Sequence, residues 1–432
     1  MKSPWRKGLT WSALLLSPLL WVGECRAGES PLAVALGRAL TTSPSLQAAE
    51  LGYAAKKEQV RQAAAKLFPE VALGGSKSVT GADWEGGGAS SDPVAMELSL
   101  GQSLYSGPLK RSLDYYRLLA SAAEEEVASA RQAVLLKAAG AAVATLEARE
   151  VLRLAGSYLE VTERHLVATQ ARFRVGEVTR TDVSQAESRL AAARAQRIGA
   201  ENALAVSRAA FEEVVGAPAA ADLALPAAPV AAVGEKLTEL KARVDGRPDL
   251  RAAKASLEAG RMKVALAEAG HEPVLSLSST LGRSWETQVV GRVDPVDSYN
   301  MTLALSVPIY SGGGTTAAVA QAVAERDALG ANLEDLRRQA LLEVEKAFLD
   351  LSGARARMEA NQSSVTSATQ ARDGVEREYQ VGTRTSLDLL DAQHELFSAE
   401  TELARSRFAA ALARFQLLHA SGRGTVEEMT RN

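Results

Sequence analysis

The chain has 432 residues, a formal net charge of −3, 23% charged residues and only 5% aromatic residues. The near-neutral charge argues against a nucleic-acid-binding protein, which needs a basic surface to displace counterions. The composition has no disordered bias, and abundant alanine with few aromatics favours long, closely packed helices over a thick globular core.

The first 27 residues are typical of a secretory signal peptide. Basic residues precede an apolar stretch at 9–22, which is about 14 residues long and shorter than the roughly 20 that a membrane-spanning helix needs. We predict cleavage after residue 27, with an uncleaved anchor as the alternative. Cys25 is the only cysteine, and Glu24 stands where a lipidation signal needs a small residue, so we do not expect lipid at Cys25.

The rest of the chain is a tandem duplication. Four motifs recur about 205 residues later, pairing 44–49 with 248–253, 69–71 with 273–275, 105–107 with 310–312, and 173–176 with 379–382. Because one offset persists along the chain, coincidence is a poor explanation. The duplication predicts a first repeat at 28–216, an Ala/Pro-rich linker at 217–233, a second repeat at 234–424 and a tail at 425–432.

Each repeat is predicted to hold a helix, two strands, one very long helix, a tight turn and a return helix. In the first repeat we predict a helix at 32–66, strands at 69–79 and 93–104, a long helix at 108–175 and a return helix at 182–215. In the second we predict a helix at 248–270, strands at 273–285 and 298–310, a long helix at 315–381 and a return helix at 386–421. Gly-rich polar loops at 81–92 and 287–297 join the strands of each pair.

The strands carry the strongest period-2 signal in the chain. Apolar residues occupy every second position from Val94 to Leu100 and from Met301 to Ile309. Such alternation usually marks a half-buried strand of a soluble sheet. These segments have about 10 residues, the length that a tilted strand needs to cross a bilayer. Since the helical remainder leaves little to cover a soluble sheet, we predict that the strands face lipid.

The long helices carry coiled-coil spacing. No proline occurs between Pro108 and Pro218, so the first long helix can extend on the order of 100 Å. Large apolar residues recur every seven positions at Leu152, Leu159, Leu166 and Phe173. This spacing lets helices pack closely, as coiled coils require. An ordinary helical bundle explains the heptads but not the strand pairs that precede each long helix.

Four strands per chain are too few to close a barrel, which needs at least about eight. Unpaired N–H and C=O groups in hydrocarbon cost several kcal/mol each, so the strands must pair between subunits. Two copies would give about 8 strands around a filled interior, and three would give about 12 with room for a pore. A pore favours three copies, and two stay open.

Three segments resemble the TolC-type outer-membrane efflux proteins. The most specific is 379–392, which reads YQVGTRTSLDLLDA; 173–186 is a looser copy, and 305–313 resembles the strand-to-helix junction of that family. The resemblance covers nearly the whole chain after residue 27. It implies a mainly α-helical homotrimer, in which each chain gives four antiparallel strands to a 12-strand outer-membrane β-barrel and coiled-coil helices to a periplasmic α-barrel.

The resemblance further implies a passive exit duct for efflux or type I secretion. Its partners would be a periplasmic adaptor (membrane fusion) protein, an inner-membrane pump of the RND or ABC type, and outer-membrane lipid. The alternative is a periplasmic coiled-coil adaptor or scaffold without a pore, although adaptors usually carry one helical hairpin and this chain has two. The sequence has no catalytic constellation, nucleotide loop or metal-ligand spacing, so we expect no enzyme, cofactor or metal site.

Asp388 and Asp391 resemble the constriction carboxylates of the family. Three apart on a helix, they share a face, so a trimer would stack two rings of three carboxylates. Crowding there would favour cations and raise some of the carboxyl pKa values. Asp388 also fits a capping box with Thr385, a structural role that the position of Asp391 does not offer.

Four residues near the turns resemble contacts that hold neighbouring hairpin tips together: Tyr379, Arg384, Thr181 and Asp182. We expect Tyr379 to bind Asp182, and Arg384 to bind Thr181 or Asp182. A solvated turn is the alternative, and since an exposed pair contributes at most about 1 kcal/mol, the latch would be weak enough for an adaptor to open. Gly176 and Gly382 are expected to adopt positive φ at the helix ends, a structural role.

Overall fold

The computed structural model describes residues 30–226, 236–285 and 295–431. The predicted signal peptide, with Cys25, lies outside these residues, as do parts of the predicted linker and of the predicted loop at 287–297. The signal peptide therefore stays a prediction. Within the three described ranges, no helix is both long and apolar enough to cross a membrane.

The first repeat contains four helices and four strands. They are α1 (Pro31–Thr42), α2 (Pro44–Ala65), β1 (Glu70–Lys77), β2 (Thr80–Trp84), β3 (Gly87–Ser91), β4 (Val94–Ser106), α3 (Gly107–Arg174) and α4 (Arg180–Val215).

Two features of the first repeat differ from the prediction. The single helix predicted at 32–66 is wrong, because extended backbone at Ser43 ends α1 and the Ser43 hydroxyl accepts from the Leu46 amide to cap α2, with Pro44 at its first position. The predicted loop at 81–92 contains the hairpin β2–β3, whose tight turn uses Gly86 at φ 119°.

The second repeat contains α5 (Leu237–Arg243), α6 (Pro248–Glu268), β5 (Val274–Trp285), β6 (Val296–Ser306), α7 (Gly314–Gln380), α8 (Ser386–Ala420) and α9 (Val426–Thr430). The strand predicted at 298–310 ends earlier, at Ser306, because Pro308 has no N–H to donate to a strand ladder. The predicted tail at 425–432 contains α9, which Thr425 caps by accepting from the Glu428 amide at 3.3 Å.

Strands β1, β4, β5 and β6 form one antiparallel sheet in the order β1-β4-β5-β6. The β4–β5 pair joins the two repeats in the middle of this sheet, and β1 and β6 lie at its edges. An edge strand presents unpaired N–H and C=O groups that template pairing with another chain. The sheet of one subunit is therefore incomplete at both sides.

Along most of the sheet, the register separates apolar from polar residues onto the two faces; the ion pair of Arg283 and Asp297 lies at the outer end of the apolar face. One row across the four strands consists of Leu73, Leu98, Leu281 and Tyr299. The adjacent row, on the other face, consists of Ala72, Ser99, Thr280 and Asn300. On β6 the apolar face continues through Met301, Leu303 and Leu305, all exposed. An uncovered apolar face opposite a polar one is the pattern of a strand between lipid and an aqueous lumen.

Helices α3 and α7, of 68 and 67 residues, extend over about 100 Å and contact different helices along their length. Near the sheet the helices pack in the order α2, α3, α6, α7, and near the far tips in the order α4, α3, α8, α7. The predicted fold class, mainly α with a membrane sheet, is confirmed.

The largest apolar core lies midway along α3. There α1 and α9 pack against α3, α4 and α8 and bury a cluster that includes Leu32, Leu36, Phe211, Phe415 and Met429. At the height of α1 and α9, the neighbours of the long helices change from α2 and α6 to the return helices α4 and α8.

A buried arginine connects three helices at the same level. Arg247, directly before α6, forms ion pairs with Asp249 and with Glu343 of α7, each at 2.8 Å. Its guanidinium also donates to the carbonyl of Ala420 at the end of α8, at 3.1 Å. The Arg247 side chain is 8% exposed, so these acceptors replace water around its charge.

Candidate functional site at the helical tips

Two tight turns form the end of the molecule farthest from the sheet. Gly176 follows α3 at φ 82°, and Gly382 follows α7 at φ 79°. In each turn the next residue donates its amide to a carbonyl five residues earlier: Glu177 to Arg172, and Thr383 to Glu378, both at 3.0 Å. The left-handed glycines let each long helix end and reverse into its return helix within a few residues.

Reciprocal capping boxes begin both return helices. Asp182 accepts from the Thr179 amide at 2.7 Å, and Asp388 accepts from the Thr385 amide at 2.9 Å. Each threonine hydroxyl accepts in turn from the amide of its aspartate. The hydrogen bonds from the Thr385 hydroxyl and amide hold the pKa of the Asp388 carboxyl below its usual value. Within one subunit, these bonds therefore favour the charged form of Asp388.

Asp391 has a charged partner on the other hairpin. Its carboxylate forms an ion pair with the guanidinium of Arg189 on α4, which joins the return helices of the two repeats. Sequence reasoning missed Arg189, since nothing in its own segment marks it as a partner for a residue in the other repeat. The ring of Asp391 carboxylates stays a prediction. If the ring forms, each of its carboxylates has the guanidinium of Arg189 beside it.

The predicted latch residues have other partners within one chain. Arg384 donates to Glu378 at 2.8 Å, and the guanidinium of Arg172 lies 4.6 Å from the ring centre of Tyr379. Among the residues that the structure describes, no hydrogen bond joins Tyr379 or Arg384 to Thr181 or Asp182. The latch contacts between neighbouring hairpins stay a prediction.

Polar and aromatic contacts close the seam between α3 and α8 above the turns. The rings of Tyr158 and Phe397 stack with centres 4.7 Å apart, and Gln393 donates to His165 across 2.7 Å. Burial lowers the pKa of His165, which keeps the imidazole neutral and able to accept this bond. His165 and Gln393 lie in different repeats, so no local pattern in the sequence indicates this bond.

Comparison with known proteins decides the family. A profile of the family described as outer membrane efflux protein matches residues 35–217 and 242–423, one segment for each repeat. The chain belongs to the outer membrane efflux protein family.

Individual proteins are similar to this chain along most of their length. The outer membrane efflux protein BepC of Brucella suis is 26% identical, over 98% of this chain and 92% of its own. The outer membrane protein TolC of Vibrio cholerae is 28% identical, over 90% of both chains. The crystal structure of VceC from Vibrio cholerae superposes with a TM-score of 0.75 at 22% identity, over 90% of this chain and 96% of that one.

The predicted TolC-type resemblance is therefore confirmed. This outer membrane efflux protein is an outer-membrane channel subunit. The family consists of channel proteins. The alternative of a periplasmic adaptor without a pore finds no support among the similar proteins.

Proposed function

We propose that the protein is a passive exit duct, without an active site of its own, through which an inner-membrane pump expels its cargo. One observation carries this proposal. The strands of a sheet with one apolar and one polar face lead into helices of 68 and 67 residues: β4 is followed by α3, and β6 by α7. Such a chain places a lipid-facing wall and a periplasmic wall around one lumen. Purified protein in planar bilayers should give discrete conductance steps, and a complete lack of conductance would contradict the duct.

We further propose that the tips form a gate at the periplasmic entrance. Asp388 and Asp391 lie on one face of α8, so a trimer brings six carboxylates to the entrance. The capping bonds of Asp388 give it a structural role as well, and they hold its carboxylate at the start of α8, where it can serve the gate. Tyr379, Arg384, Thr181 and Asp182 would hold adjacent tips together across subunits.

Asp391→Asn is expected to weaken block of the channel by a trivalent cation about tenfold. One unit charge about 6 Å from a trivalent ion contributes about 2 kcal/mol even in a water-like dielectric, which exceeds the 1.4 kcal/mol that a tenfold change represents. The measurement is the concentration of hexaamminecobalt(III) that halves the current through single trimers. Block equal to that of the wild type would remove Asp391 from the entrance.

Tyr379→Phe and Arg384→Ser are each expected to raise the leak conductance of the closed channel. The first substitution keeps the ring beside Arg172 and removes only the hydroxyl that would bind Asp182, so it tests the latch with little change in packing. Arg377→Ser alters an exposed arginine in the same helical turn and serves as the control. If both variants conduct like the control, the latch does not exist.

A further inference from the structure

The two carboxylates of the proposed gate differ in what surrounds them. Asp388 accepts its hydrogen bonds from neutral donors, the hydroxyl and amide of Thr385, and the charge of Arg384 acts on it only from a distance, without a direct bond. Asp391 instead faces a full positive charge, the guanidinium of Arg189. Because the pair forms within one subunit, a symmetric trimer repeats it three times at the same height.

The exposure of this pair limits what it contributes to stability. The side chain of Arg189 is 37% exposed and that of Asp391 is 52% exposed, so water screens their attraction. Half-exposed ion pairs add little to stability, and loss of this pair should not by itself open the tips. The charge of Arg189 still acts on an ion that passes close to Asp391, because such an ion lies within the Debye length of about 8 Å of both members of the pair.

We infer that Arg189 is a charge-selectivity determinant of the periplasmic entrance, where it neutralises the Asp391 ring and leaves Asp388 to set the preference for cations. The inference rests on the proposed function, because it takes Asp391 to line the entrance. A ring of three Asp391–Arg189 pairs has no net charge, whereas three bare aspartates would carry three negative charges. Of the six carboxylates of Asp388 and Asp391 in a trimer, the three of Asp391 are then neutralised, and half of the negative charge remains.

The test measures ion selectivity rather than stability. Purified trimers are placed in planar bilayers under a potassium chloride gradient, and the reversal potential and the block by hexaamminecobalt(III) are recorded. Arg189→Gln is expected to raise the cation-to-anion permeability ratio at least about threefold and to tighten block about tenfold. Asp391→Asn shifts both in the opposite direction, and the double variant returns both towards the wild type.

Two further variants keep the test sharp. Arg189→Lys preserves the charge and should keep the selectivity of the wild type. Arg194→Gln removes another arginine of α4, one that pairs with Glu163 of the same hairpin at 3.4 Å, and should change neither quantity. Migration of each variant as a trimer confirms that the comparison concerns folded channels.

The possible results distinguish the role of Arg189 from the proposed gate on which it rests. If Asp391→Asn shifts selectivity and Arg189→Gln does not, the gate stands and the role of Arg189 is overturned. If Arg189→Gln raises only the leak conductance, the arginine is a latch residue and the inference fails. If neither variant shifts selectivity, Asp391 does not line the entrance, and the inference fails together with that part of the proposed function.

Discussion

Leu303→Arg is expected to remove the assembled channel from the outer membrane, whereas Thr302→Arg leaves it in place. Leu303 is 64% exposed on the apolar face of β6, and Thr302 lies next to it on the polar face. Leu303 is the middle of five alternate apolar positions from Tyr299 to Val307, so it lies near the bilayer midplane. An arginine there costs about 2–4 kcal/mol, and a trimer carries three of them.

Membrane fractionation and gel migration before and after heating measure this difference. Leu303→Arg should yield little heat-sensitive trimer in the outer-membrane fraction, and Thr302→Arg should yield as much as the wild type, because arginine in an aqueous lumen stays hydrated. Loss of Thr302→Arg with retention of Leu303→Arg would mean that the two faces of the sheet are assigned the wrong way round.

Arg247→Ala is expected to destabilise the fold by about 2–4 kcal/mol. Removal of one partner of a fully buried ion pair costs about 3–5 kcal/mol. The cost here is somewhat lower, because Glu343 is 47% exposed and can be rehydrated once the arginine is gone. The carbonyl of Ala420 and the carboxylate of Asp249 still lose a charged donor.

Thermal loss of helical circular dichroism in detergent checks the effect of Arg247→Ala. The variant should melt several degrees below the wild type. Arg261→Ala is the matched control, because Arg261 lies on α6, the helix that begins directly after Arg247, and pairs with Glu258 on an exposed surface, where substitutions change stability by no more than about 0.5 kcal/mol. Equal melting of the two variants would show that the Arg247 network does not connect the helices energetically.

The fold class was accessible from the sequence because its signals are local and periodic. Alternation from Val94 to Leu100 already indicates one apolar face, and heptad leucines indicate long packed helices. The break between α1 and α2 was also readable, since Ser43-Pro44 is a helix-start signal inside the predicted helix. Pro308 likewise marks a strand end. Both errors arose because the prediction followed the periodicity of apolar residues. It gave too little weight to the capping serine in one case and to the missing N–H of proline in the other.

The site was accessible only in part, for a different reason. The capping box of Asp388 follows from spacing within one turn, and the structure shows it. The partner of Asp391 lies 202 residues away in the sequence, and that of Arg247 in α7 lies 96 residues away. Neither pairing has a local signature, because each depends on how the two repeats pack. The sequence therefore shows which positions are charged, but not which charged residues form ion pairs with each other.

Assembly of the channel depends on the free edges of the sheet, which one subunit leaves unpaired and three subunits would close. Native mass spectrometry of detergent-purified protein measures this directly. We predict a single species of three chains, stable until the detergent or heat disrupts the sheet. A monomer that stays dissolved without detergent would contradict it, because its apolar face and both edge strands would then be tolerated in water.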